Sequence, residues 1–90
     1  VVAAGTSCPD ITQLDWLPLQ AIRGQTTTLP SSTEFSKLRV ALCHKGYISP
    51  ARKGSHCIGA TFDIDDNDVD VRPGDHRKNL DTLGAAIHRW

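Results

Sequence analysis

Ninety residues allow one domain with a modest core and leave no room for two. A composition of 39% hydrophobic and 22% charged residues excludes a disordered chain. The formal net charge is zero, which excludes nucleic-acid binding through bulk charge, yet the charge is uneven: Lys37, Arg39, Lys45, Arg52 and Lys53 occupy the middle, and an acidic run extends from Asp63 to Asp70.

Val1 to Ala4 is expected to form a short buried strand ended by Gly5. Thr6 to Pro18, punctuated by Pro9 and Pro18, reads as a loop with at most one helical turn. Leu19 to Leu29, with its Thr26-Thr27-Thr28 run, favours a strand, and Gly24 within it marks a bulge or a close approach. Ser31-x-x-Glu34 is a capping-box pattern for a short helix near Phe35. Leu38, Val40 and Leu42 alternate with Arg39, Ala41 and Cys43, the period of a strand. Two more strands, Tyr47–Pro50 and His56–Phe62, follow turns at Lys45-Gly46 and Arg52-Lys53-Gly54, which suits an antiparallel meander. Asp63 to Arg72 is expected to be a solvated loop. A helix then starts near Pro73, with Asp75 in its first turn and Leu80, Leu83, Ile87 and Trp90 on one face.

The predicted fold is therefore α+β, mostly antiparallel sheet with a short helix and a C-terminal helix. At this size roughly 60–65% of the unfolded surface is buried, so stability is marginal without outside support. The chain has no Met, opens on an apolar run and carries no secretory leader, so it is expected to be cut from a longer polypeptide. No stretch nears the roughly 18 apolar residues of a membrane span, so no membrane partner is expected. Cys8, Cys43 and Cys57 make an odd count without short-loop spacing, which points to free thiols in a reducing, cytoplasmic compartment.

Cys43-His44 and His56-Cys57 invite a metal reading. Adjacent strand residues face opposite sides, so each pair offers one ligand per face, too few for a tetrahedral site, and no metal is expected. Asp63-x-Asp65-x-Asn67 resembles the start of a calcium loop. It fails because Asp68 stands where Gly is required and Gly74 where a bidentate Glu is required. No GxGxxG, P-loop, GxSxG or HExxH occurs, so a nucleotide site would have to be completed from outside the chain.

Three weaker features remain: the Val1-Val2-Ala3-Ala4-Gly5 strand, Arg23-Gly24-Gln25, and Gly46-Tyr47-Ile48-Ser49-Pro50. In order and spacing, with Leu29-Pro30, Leu42-Cys43 and His56-Cys57-Ile58-Gly59-Ala60, they resemble the D-amino acid oxidase family of FAD-dependent oxidoreductases, which includes glycine oxidase and the sarcosine oxidases. Within it the likeness is greatest to the flavin-dependent half of the bifunctional enzymes that modify the tRNA wobble uridine, and it covers essentially the whole chain.

The resemblance implies that the chain is the substrate-domain portion of such a flavoenzyme. Residues 1–18 would be the end of the nucleotide-binding sheet and a connecting loop, and residues 19–90 the substrate-binding antiparallel sheet with its C-terminal helix. FAD would be held in the full-length parent, with Ala4, Gly5 and Gly24 near it; a glycine backbone approaches a cofactor closely. Tyr47 matches a tyrosine that contacts the substrate carboxylate, which a phenolic O–H does without adding charge. A packed strand aromatic explains Tyr47 equally simply. His44 is expected to face the same pocket, and Arg23 to hold a carboxylate or a flavin carbonyl, or to line the sheet. The implied reaction is oxidation of 5-carboxymethylaminomethyl-(2-thio)uridine in tRNA, with loss of the carboxymethyl group as glyoxylate. The implied partners are the remainder of the chain and tRNA, with the basic residues touching phosphates or merely guarding a strand edge. Raw sheet edges also invite an edge-strand homodimer. The competing readings are a stand-alone interaction module without catalysis, a generic glycine or D-amino acid oxidase relative, and a small metal-binding protein using Cys43, His56 or Cys57.

Overall fold

The computed structural model describes residues 1–87; the place expected for Trp90 on the helix face lies outside them. The elements in order are a 3-10 helix Gly5–Asp10, strands β1 (Ile22–Arg23), β2 (Thr27–Pro30), β3 (Leu42–Cys43), β4 (Tyr47–Ile48), β5 (Ser55–Gly59) and β6 (Asp63–Ile64), and helix α1 (Pro73–Ala86). An antiparallel sheet of order β2-β5-β4-β3 forms the body, and β1 pairs separately with β6.

Ile22 to Leu29 is the spine of this arrangement. Burial alternates along it without a break: Arg23, Gln25 and Thr27 are buried, while Ile22, Gly24, Thr26 and Thr28 are exposed. The alternation is the period-two rule of extended chain. The segment changes partner midway, from β6 to β5, and at the switch the Thr61 amide donates to the Gln25 carbonyl at 3.2 Å while the Gln25 amide donates to Thr61 Oγ1 at 2.9 Å. The interruption expected at Gly24 is this change of sheets.

The meander β3-β4-β5 follows its turn chemistry. Lys53 and Gly54 both adopt positive φ (52° and 78°), and Arg52 and Ser55 exchange two backbone hydrogen bonds across them. That is the tight hairpin whose twist suits the flanking strands. At Gly46, in the β3–β4 turn, an added Cβ would stand 2.2 Å from the Gly59 carbonyl oxygen, so only glycine fits.

Helix α1 opens on Pro73, with Asp75 in its first turn and no side-chain cap. Its buried stripe is Asp75, Asn79 and Leu83, spaced by four. The apolar end of that stripe closes the core, where Leu83 meets Ile48 and Ile58, with Leu29, Phe35, Leu38, Leu80 and Ile87 around them. His56 is buried beside them, donating from Nδ1 to the Ser49 carbonyl at 2.7 Å, with its ring edge-on to Phe35.

Four expectations are corrected. Val1 to Ala4 forms no strand: Val1 and Val2 are exposed, no described strand pairs with them, and Gly5 turns the chain at φ 56°. The helix near Phe35 is a single turn, with Ser36 N–H donating to Ser32 O, because so short a run offers few bonds to offset helix nucleation. Leu38 to Ala41 is not strand, since alternation without a neighbouring strand leaves its backbone unpaired; β3 is only Leu42–Cys43. Asp63 to Arg72 is not simply solvated, because its first two residues pair with β1 and its backbone wraps Arg23. No helix among the described residues is long and apolar enough to cross a membrane.

With so few fully buried side chains, each core position counts. Leu83→Ala is expected to cost about 2–5 kcal/mol in denaturant unfolding, whereas Val69→Ala, at a side chain 93% exposed, should stay within about 0.5 kcal/mol.

Candidate functional site

The side of the spine that faces α1 is held by charge. The Arg23 guanidinium donates to the Asp75 carboxylate, to Gln25 Oε1 at 2.7 Å, and to the carbonyls of Asp68 (3.1 Å) and Asp70 (2.6 Å). Gln25 in turn donates to the Arg72 carbonyl, and Asn79 donates to the Gln25 carbonyl and to Thr27 Oγ1. Burial of Asp75 alone would raise its pKa, but hydrogen bonds from Arg23 and Lys78 outweigh it and hold the carboxyl below its ordinary range. Asp66 is lowered chiefly by its hydrogen bonds from Arg72, and Asp68 by the Asp70 backbone N–H and then by Arg72. Arg23 is thus engaged within the chain, its guanidinium held by Asp75, Gln25 and the two loop carbonyls.

The other side of the sheet carries no covering element among the described residues. Register assigns Cys43, Tyr47, Cys57, Gly59 and Thr28 to it, because Cys43 pairs with Tyr47, Tyr47 with Gly59, and Thr28 with Cys57, while their neighbours Ile48 and Ile58 face the helix. Tyr47 lies across β5. An added Cβ at Gly59 would meet its Oη at 3.0 Å and Cζ at 3.2 Å, and Thr26 Cγ2 at 3.3 Å. Burial, then the charge of the adjacent Cys57 sulfur and the hydrogen bond the phenol donates to it, push the Tyr47 pKa up, so at neutral pH the phenol keeps its proton.

The candidate residues are thus sorted by face. Gly24 shares the parity of Thr26, and Thr26 and Tyr47 both abut Gly59, so Gly24 and Tyr47 lie on the same side of the sheet. Gly24 lines a cleft of about 480 Å3 with Arg23, Gln25, Thr26 and the Asp66–Val71 segment, and Tyr47 stands outside it. A Cβ at Gly24 would meet the Thr61 carbonyl oxygen at 3.2 Å, so backbone packing already favours glycine there.

His44 is on the opposite side. It lines hollows against the end of α1 with Thr82, Leu83 and Ala86, its Nδ1 accepts from Gly46 N–H at 3.1 Å, and its Nε2 is buried without a partner. It does not share the Tyr47 face, because one residue along a strand reverses the side. Half-buried Ala4 precedes the 3-10 helix, and Gly5 lines a separate shallow cleft with Leu19–Ile22. All three cysteines are free, and no three His, Cys, Asp or Glu side chains gather among the described residues. Sequence reasoning missed Asp75 and Asn79 as partners of the spine; their spacing of eight and four before Leu83 was the available signal.

Fold and site define a class: a small α+β unit with one sheet face layered by a helix and the other open and lined by a tyrosine over glycine. Comparison with known proteins narrows it. No family model matches the chain. A protein of Chromobacterium violaceum is 57% identical over 67 residues, 74% of this chain and 10% of its own length. Relatives from Azoarcus sp. and Aeromonas hydrophila are 41% and 38% identical over 87 residues, 97% of this chain and 14% and 13% of their lengths. Each of the three is named tRNA 5-methylaminomethyl-2-thiouridine biosynthesis bifunctional protein MnmC. The chain is a homologue of one segment of MnmC, and it spans only 10–14% of the length of the relatives it matches.

Two outcomes follow from the geometry. Carboxylates held below their unfolded values stabilise the fold above the ordinary carboxylate range near 3.9, and that stability is lost as pH falls through the folded values. Asp75→Asn should therefore lower the thermal midpoint at pH 7 and flatten its fall below about pH 4; an unchanged midpoint at pH 7 would contradict the network. Gly59→Ala should displace the Tyr47 ring, read as a changed tyrosine side-chain NMR environment.

Proposed function

We propose that this chain is the substrate-facing sheet of an FAD-dependent amine oxidoreductase that acts on the modified wobble uridine of tRNA. The open face carries this reading: Tyr47 lies over Gly59, on the same side as Gly24, with its hydroxyl neutral and able to donate. The relatives' shared name, which refers to biosynthesis of a 5-methylaminomethyl-2-thiouridine in tRNA, supports the substrate class.

The residues present fit the role of a wall and not of a complete cofactor site. No glycine-rich phosphate fingerprint occurs in the sequence, so the phosphates of FAD would be held by other parts of the parent, with the open face alongside the ring. FAD supplies an acceptor for the two electrons removed from the carbon beside the amine. What this chain contributes is orientation. The Tyr47 hydroxyl donates to the carboxylate of the carboxymethylaminomethyl group, placing its methylene for oxidation without adding a negative charge to the pocket. Loss of the carboxymethyl carbons as glyoxylate, after hydrolysis of the imine by water, leaves the aminomethyl nucleoside.

In the full-length protein, Tyr47→Phe should weaken use of the carboxylate-bearing substrate by roughly 1.5–3 kcal/mol, about 10- to 150-fold in kcat/KM. Unaltered kinetics would remove Tyr47 from the site. The 90-residue chain alone should retain no stoichiometric FAD on purification, and a yellow, fully loaded fragment would contradict the division of labour proposed.

A further inference from the structure

The basic residues that look like one cluster in the sequence are divided by the topology. In an antiparallel meander successive turns lie at opposite ends of the sheet, so Lys45, in the β3–β4 turn, is at the far end from Arg52 and Lys53 in the β4–β5 turn. The connection from β2 to β3 carries Lys37 and Arg39, and it leaves the sheet at the Arg52–Lys53 end. Pro30 pairs with Ser55 there, and the Ser31 amide donates to the Gly54 carbonyl at 2.8 Å. Lys37, Arg39, Arg52 and Lys53 therefore share one end of the sheet. All four are exposed, and none enters an ion pair among the described residues. Of the acidic residues between Asp63 and Asp81, Asp66, Asp68, Asp75 and Asp81 pair with Arg23, Arg72, Arg77 and Lys78, whereas the connection that carries Lys37 and Arg39 holds one carboxylate, Glu34. That end therefore carries four cations against one carboxylate, and the opposite end carries Lys45 alone.

We propose that this end of the sheet docks the phosphate backbone of a structured RNA, the substrate class named under the proposed function, on which this inference rests. Tyr47 precedes Arg52 by five residues, about 16 Å along extended chain, which spans a few nucleotides. A nucleoside turned into the open face at Tyr47 would set its own phosphates beside Lys45 and those a few nucleotides along the strand near the four cations. Such phosphate pairing carries no sequence information. It sets register and affinity, while the open face reads the modified base.

The test uses the full-length protein and its tRNA. Replacing Lys37, Arg39, Arg52 and Lys53 together by Gln should weaken tRNA binding at least tenfold at physiological salt and reduce the slope of log Kd against log salt concentration by about one for each phosphate no longer neutralised. KM for tRNA should rise with kcat retained, and turnover of the free carboxymethylaminomethyl nucleoside should not change. Lys45→Gln, which removes one cation beside Tyr47, should weaken tRNA binding much less than the fourfold variant. Wild-type affinity and salt slope in the fourfold variant would overturn the proposal, as would an equal loss on the free nucleoside, or an equal effect from Lys45→Gln. Should the parent oxidise no such amine while the fourfold variant still loses tRNA, the proposed reaction fails and the docking surface stands.

Discussion

The buried pairing of Arg23 with Asp75 decides which side of the sheet is inside. An arginine cannot shed its charge, so once buried it must find enough acceptors, and it finds them in Asp75, Gln25 and two carbonyls of the following loop. Because strand side chains alternate, committing Arg23, Gln25 and Thr27 to the helix commits Gly24, Thr26 and Thr28 to the other face. The polar first half of α1 and its apolar second half belong to one stripe, Asp75, Asn79 and Leu83, which couples this charge cluster to the hydrophobic cluster at Ile48 and Ile58. The same acidic loop that wraps Arg23 also walls the cleft at Gly24.

The open face follows from that commitment. Tyr47 and Cys57 lie there because their neighbours Ile48 and Ile58 are needed in the core, and Gly59 lies beneath the tyrosine ring because any Cβ would strike it. On the proposed reading a ligand held by the rest of a longer protein occupies this face. This chain spans about a tenth of the relatives' length, and on the same reading the phosphate-binding fold belongs to the rest of the parent.

The parts of the fold legible in the sequence were those with local causes. Pro73 and Asp75 mark the helix start, Lys53-Gly54 marks a tight hairpin, and Ile58 and Leu83 sit at the right periods for their elements. The parts that were not legible depend on distant partners. Val1 to Ala4 and Leu38 to Ala41 have strand composition but no described strand beside them, and Asp63–Ile64 became a strand only because Ile22–Arg23 is there to pair with it. Arg23 showed itself as a site candidate by its motif, which also holds its partner Gln25, while its other partners lie 45 to 52 residues away and left no local mark. His44 was one residue from the tyrosine hairpin's turn in the sequence and is on the other face of the sheet in space, a difference that strand parity alone explains.

The most direct measurement is a crystal structure of the full-length protein with FAD and a carboxylate-bearing amine analogue bound. The account predicts both ligands on the Tyr47, Cys57 and Gly59 side of the sheet, with the analogue's carboxylate within hydrogen-bonding distance of the Tyr47 hydroxyl. Ligands seated against the helix side, or an open face buried under unrelated packing, would contradict it.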